Sequence, residues 1–550
     1  MKNLLLFSII TLFCNISLAQ VGIGTTNPDI SSALDITSTN AGILIPRLTQ
    51  VQRDAIISPA TGLMIFQTDA SPGFYFFNGT VWTLIGTGSG WSIVGNTGTI
   101  SGTNFIGTTD AQALDFRTNN VIKNRITTKG QFAFLNTGNS VFIGNAAGNA
   151  DDLTTNENIF IGESAGVVNT TGAANVALGS YALKANTTLS NSTAIGHQAM
   201  ENATIVGNTT AVGFQTLRAN RGANNTGVGY GVLDVNTAGA RNTAIGSNAL
   251  GGNVLGNDNV AIGKDALMLN DFDKNTAIGS QALDANTNGS RNVAIGANAL
   301  GGNTTGNESI AIGSDALFTA TTSIQNIAIG QSALRLATTV GADSGSNNVA
   351  MGKGTLQNLT TGDGNVVIGN FASNSYKGGN YNTAIGYAAM QANDTGDNNT
   401  AIGKEALTGN FAGNLNIGVG YQSLFKNDTG SQNIALGDSA GYLNMGGLKN
   451  VFIGSNSGYN ELGSNTLYIE NSSSIAPLIG GNFTTDKVVI NDAIANATHT
   501  LTVNGDVKIG TLINLVPGNA PATPTRGDVY YDNVTNKVRV WTGLIWENLN

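Results

Sequence analysis

The 550 residues carry few charges, 11% Asp, Glu, Lys and Arg with a net of −9, against 41% apolar side chains and 73 glycines. A chain this apolar can build cores, which excludes wholesale disorder, and with no basic excess it lacks the footprint that nucleic-acid phosphates or anionic lipid require. Cys14 is the one cysteine.

Residues 1–19 read as a signal peptide, with Lys2 at the positive end, Leu4 to Phe13 as the apolar stretch and Ser17-Leu18-Ala19 as the cleavage site before Gln20. Phe13 stands where a lipoprotein signal has a small residue, which argues against lipid attachment at Cys14. Removing the peptide leaves no thiol, so disulfides, thiolate metal sites and cysteine nucleophiles are excluded together. Loss of Lys2 takes the net charge from −9 to −10. No later segment reads as a transmembrane helix.

Residues 20–135 read as a β-rich module. Within it Pro59-Ala60-Thr61-Gly62 leads through a strand pair to Asn78-Gly79-Thr80-Val81-Trp82. The same pattern returns near the C-terminus, from Pro524-Thr525-Arg526-Gly527 to Thr542-Gly543-Leu544-Ile545-Trp546. Both predict small hairpin modules ending in a Gly turn and a Trp. Trp82 and Trp546 read as core plugs, with sugar stacking as the other reading.

Residues 136–470 form a repeat array in which nineteen glycines, from Gly144 and Gly162 through Gly246 and Gly263 to Gly437 and Gly454, recur every 16 to 18 residues. One insertion around Gly341-Ala342-Asp343-Ser344-Gly345 stretches a single interval to 22. Before each Gly stand an aliphatic residue (Ile245), usually a small one (Ala244), and a β-branched one (Thr243). Alternation along a strand puts the aliphatic and β-branched columns on one face and the Ala column on the other. A column of alanines lets another layer approach closely, either of the same chain or of a partner. Four residues before the Gly, fifteen of nineteen copies have Asn, as at Asn175, Asn242, Asn292, Asn382 and Asn433. These read as corner residues able to bond along the axis, with a ligand-binding ladder as the alternative. Four residues after the Gly, fourteen copies have Leu or Met, as at Leu250, an anchor plugging the coil from its second side. The pattern predicts an all-β solenoid of about nineteen coils, ~90 Å long at ~4.8 Å per strand. In the end copies the anchors become Gly148, Gly166, Gly441 and Gly458 and the small residue becomes Phe142, Phe160 or Phe452, as capping repeats should differ. Residues 471–550 form a C-terminal β-rich module.

Asn139-Ser140-Val141-Phe142-Ile143-Gly144 and Asn242-Thr243-Ala244-Ile245-Gly246 resemble the head repeat of trimeric autotransporter adhesins. The resemblance covers about residues 136–470 and implies a left-handed parallel β-roll, a homotrimer and binding of host or matrix components. The coils here are longer than the family's, and the C-terminus has neither its heptad stalk nor its anchor barrel. The flanks, Val21-Gly22-Ile23-Gly24-Thr25-Thr26-Asn27-Pro28 with Leu34-Asp35-Ile36, and Pro477 to Phe483 with Leu501-Thr502-Val503-Asn504-Gly505, are similar to modules of phage-tail-fibre-like bacterial surface proteins.

No catalytic, cofactor or metal site is expected. His197 reads as a solvent-facing loop residue and shares no motif with His499. Asp265, Asp315 and Asp438 recur after some glycines, but neighbouring coils have Asn, Gln or Ser there, which reads as solvation rather than a lyase or glycosidase cleft. The six-residue period of a hexapeptide acyltransferase is absent, and the Thr array of an ice-binding face is intermittent. Asn393-Asp394-Thr395-Gly396-Asp397-Asn398 reads as a solvated turn before a calcium site. The sequence therefore predicts an exported, non-enzymatic, homotrimeric fibre at the outer cell surface or beyond. It is adhesin-like, with a glycan or matrix-protein ligand, or else a passive component of an appendage or matrix.

Overall fold

A computed structural model of the chain describes residues 20–86, 99–100, 103, 105–204, 207–322, 324–337, 345–494, 500–508, 510, 517–518, 520, 522–524 and 526–549. The expected signal peptide, His499 and most of the insertion at 341–345 lie outside the described residues. Two compact units divide the chain, Met1–Leu114 and Asp115–Asn550.

In the first unit Val21–Ile23 pairs in parallel with Leu34–Ile36. A four-stranded sheet follows, from Arg47–Leu48, Met64–Gln67, Gly73–Phe77 and Trp82–Leu84. Its first pairing is parallel and the next two are antiparallel. The one-turn helix Gln50–Asp54 starts at Thr49, whose hydroxyl and the Gln52 side chain satisfy each other's backbone N–H in a capping box.

The second unit is dominated by a sheet of 23 strands. From Val141–Ile143 to Thr466–Ile469 the strands pair in parallel, each with the next in sequence. Ile479–Asn482 and Lys487–Ile490 then add antiparallel strands, and Leu501–Val503 a final parallel one. Every Gly-marked segment is one rung, as the repeat predicts. The array also has a further parallel rung, Thr466–Ile469, which carries no marking Gly.

Packing within a coil follows from strand alternation. Ala244 is fully buried while Ile245 is 40% exposed, and Thr243 is half-buried. What approaches the alanines is the chain itself: Leu250 and its equivalents are buried in the same cluster. To bring Leu250 inside, the backbone turns through left-handed residues, Asn248 at φ 55° and Leu250 at φ 51°, with Arg241 at φ 59° before the strand. A left-handed conformation costs a branched residue ~1–2 kcal/mol, comparable to the ~1.5–3 kcal/mol from burying a Leu. The coil is therefore poorly stabilised alone and depends on its neighbours.

The marking glycines are compulsory. Gly246 has φ 130°, and a Cβ there would stand 2.5 Å from the Gly263 carbonyl oxygen. The caps conserve volume: a Cβ on Gly148 would meet the Phe142 ring at 2.5 Å, and one on Gly166 the Phe160 ring at 2.5 Å. Phe452 fills the space left by both Gly441 and Gly458. An inner Ala plus anchor Leu is thus exchanged for Phe plus Gly.

The C-terminal sheet, Pro517–Gly518, Val529–Asp532, Lys537–Trp541 and Trp546–Asn548, has the order and pairing senses of the first unit's four-stranded sheet. Gly62 and Gly527 match at φ 89° and 97°, and Gly79 and Gly543 at 101° and 99°. The internal duplication read from sequence is a duplication of fold.

Substituting Gly246→Ala should cost several kcal/mol and lower the urea midpoint of the array, because backbone must move. Gly446→Ala, where the nearest atom to the added Cβ is Thr429 Oγ1 at 3.6 Å, should leave that midpoint within error.

Candidate functional site

Asparagine builds the inner corner of the coil. Asn242 is fully buried. Its Oδ1 accepts the backbone N–H of Asn259 in the next coil at 3.0 Å. Its Nδ2 donates to the Gly256 carbonyl at 2.8 Å. That carbonyl also accepts from Asn253 Nδ2 at 3.1 Å, and Asn253 donates in turn to Asn236 Oδ1 at 2.9 Å. Two asparagine columns therefore share one loop carbonyl, and both run along the stack. Because they are buried and mutually bonded, the column read from sequence acts as a corner and offers no ligand surface. The second column, seven residues after each marking Gly, escaped the sequence reading although Asn236, Asn253, Asn270, Asn286 and Asn303 display it. So did the loop glycines: a Cβ on Gly256 would lie 2.4 Å from Asn253 Oδ1.

The second column is interrupted by Ala203, Ala320, Ala337 and Leu359, and at two of its polar departures the side chains bond to the neighbouring asparagines. Asp151 ends it in the first coil, accepting from Asn158 at 3.1 Å and Asn169 at 2.9 Å. Tyr376 replaces one Asn, donating to Asn365 Oδ1 at 3.0 Å and accepting from the Asn382 amide. Burial pushes the Tyr376 phenol well above its usual range.

The outward columns divide by chemistry. The aliphatic and β-branched columns contain no charged residue in any of the nineteen copies. Their members include the exposed Ile278, Ile385, Ile402 and Leu436. Elsewhere the coils present ion pairs between successive rungs, Arg218–Asp234 at 2.9 Å, Arg241–Asp258 at 2.6 Å and Lys184–Glu201 at 3.4 Å. Exposed apolar strips of this length are of the kind that take part in interactions.

The remaining sequence candidates do not converge. His197 is exposed, stacked on Phe214 at 5.5 Å and edge-on to Tyr181 at 5.8 Å. Phe214 stacks on Tyr230 at 5.5 Å, giving an outward aromatic row. Asp265 and Asp315 accept from Asn248 and Asn298, each at 3.1 Å, in separate parts of the array, and Asp438 is exposed. In the 393–398 turn, Asn393 belongs to the buried ladder, Asp394 pairs with Lys377 at 3.4 Å, and Asp397 accepts from the Asn380 backbone at 2.6 Å. Among the described residues no group of three His, Cys, Asp or Glu is placed to hold a metal, and no helix is long and apolar enough to cross a membrane. Trp82 is half-buried against Phe77 at 5.6 Å, and Trp546 sits between Tyr530 at 4.6 Å and Trp541 at 5.3 Å, so both are packed.

Residues 22–101 match the family described as phage tail like trimerisation region. Neither the curated proteins nor the solved structures give a match. Together with the solenoid, the match fits a phage-tail-fibre-like β-structure, while the likeness to autotransporter adhesin heads remains one of repeat pattern.

Asn242→Ala would strand the Asn259 N–H and remove one donor from the Gly256 carbonyl. It should cost about 2–4 kcal/mol, read from chemical denaturation, and Asn242→Ser should recover part of that loss. Because folding raises the Tyr376 pKa above its unfolded value near 10, its contribution is complete below about pH 10 and is lost as pH rises beyond it. Titration at 295 nm should show Tyr376 ionising late, together with opening of the array, and Tyr376→Phe should reduce the late step to the share of Tyr468, which burial also raises.

Proposed function

We propose that the protein is an exported, non-catalytic fibre displayed outside the cell and assembled from three copies. The uncharged strip of aliphatic and β-branched side chains carries this reading, since a strip two residues wide and nineteen rungs long is stabilised by burial against its equivalents in other copies. Residues 22–101 support the number three through the family they match. The N-terminal segment with the features of a signal peptide supports export. The rod itself supplies mechanical projection.

Adhesion is a second role, favoured by one observation: the outward row His197, Phe214 and Tyr230, with Gln198 and Gln215 bonded beside it at 3.0 Å, offers aromatic and amide groups of the kind that hold glycans. Saturable binding on a glycan array, lost in Phe214→Ala with Tyr230→Ala, supports it. A flat response assigns the fibre to scaffolding alone.

Light scattering of the full chain should give three times 56.3 kDa, and a well-folded monomer would contradict the proposal. Ile278→Lys with Ile295→Lys should weaken assembly by ~100-fold or more, about 3 kcal/mol, with the circular dichroism of the rungs retained.

A further inference from the structure

The four-stranded sheet of the first unit has two unlike faces. On one, Ile65, Gln67 and Tyr75 are buried, with Arg53 of the short helix lying over the Tyr75 ring at 4.8 Å. On the other, strand alternation places Met64, Phe66, Phe74 and Phe76, with Phe66 edge-on to Phe74 at 5.2 Å. Among the described residues nothing covers this second face: Met64 is 45% exposed and Phe74 48%. The segment leading into the sheet extends it, with Ile43 62% and Leu44 76% exposed. These side chains and the Phe66–Phe74 pair line a concavity of about 260 Å³, in which Arg47 is the one charged group. A soluble β-sheet whose two faces are both apolar has a partner for the second face.

We infer that this face is a docking surface for a second copy of the same chain, separate from the strip on the coils. The occupant follows from position: the whole patch lies within residues 22–101, the segment matching a trimerisation region. The inference rests on the homotrimer proposed above and adds where the first unit of each copy meets the next. The duplicated C-terminal sheet repeats the arrangement, with Val529 and Tyr531 on the face equivalent to that of Met64 and Phe66, and Asp532, like Gln67, buried on the other. In both sheets an arginine holds the buried polar group, Arg53 on Gln67 and Arg539 on Asp532 at 3.1 Å.

The chain suits single-cysteine crosslinking, because Cys14 is its only thiol. In the full chain carrying Cys14→Ser, Leu44→Cys treated with a short bismaleimide should give covalent dimers in high yield. Val51→Cys, exposed on the helix over the opposite face, should give few. Adding Phe74→Asp to Leu44→Cys should reduce the crosslinked fraction at least fivefold. A trimeric mass with no crosslinking through Leu44, or with equal crosslinking through Val51, would overturn this inference and leave the proposed function standing. A monomeric mass would overturn both.

Discussion

One hydrogen bond sets the rest of the structure: the side-chain oxygen of a buried asparagine accepting the backbone N–H of the asparagine one coil ahead, as from Asn242 to Asn259 and from Asn259 to Asn275. It repeats at every pair of successive asparagines in that column and holds each strand at a fixed height above the last. Space then becomes scarce inside the coil. The strand can carry only a small inward residue opposite the Leu anchor, and the turn that follows it admits only glycine, since a Cβ would strike the backbone of the neighbouring coil. The same amide donates to a loop carbonyl, so the corner, the loop and the next coil are tied by one side chain. A buried polar group left without its partner costs more than the bond itself contributes, and where the first column changes a hydroxyl can take over, as Ser140 and Ser309 do for the N–H groups of Asn158 and Asn326.

Fold and axis were legible because a solenoid writes each structural position as a column. Ala244 with Ile245 states strand alternation, and the exchange of Leu250 for Gly148 or Gly458 states where the stack ends. The inner asparagine column was half legible. Its first member flanks the strand motif, while its second, though always seven residues after the marking Gly, is interrupted by Asp151, Ala203, Ala320, Ala337, Leu359 and Tyr376, which hides the column. Whether the alanines faced their own chain or a partner was left open by sequence, because the left-handed turns that bring Leu250 back over Ala244 are made by Leu250, a type that carries little signal for positive φ, and by a position that is Asn248 here but Gln281 or Ser332 in other coils. The apolar face formed by Met64, Phe66, Phe74 and Phe76 was hidden for another reason: Gly73-Phe74-Tyr75-Phe76-Phe77 is apolar at nearly every position, so its two faces separate only once strand pairing is known.

The outer surface follows from the inner one. Since the interior is filled by Ala, Leu and Asn, the branched and aliphatic residues of every strand are turned outward, and the uncharged strip is a consequence of how the coil closes. Charge is confined to other columns, where Arg218–Asp234 and Arg241–Asp258 connect successive rungs and, being exposed, contribute little to stability. A rod built this way separates its tasks. Hydrogen bonds along the axis hold the coils, and in the proposed assembly the apolar strips face other copies while the aromatic row at 197–230 stays exposed.

Residue-resolved amide hydrogen exchange across the array tests the central constraint most directly. The N–H groups of Asn259, Asn275 and Asn292, each bonded to the preceding asparagine side chain, should exchange as slowly as the adjacent strand amides of Val260, Thr276 and Val293. If the asparagine amides exchange at loop rates while the strand amides stay protected, the side-chain ladder does not hold the coils together.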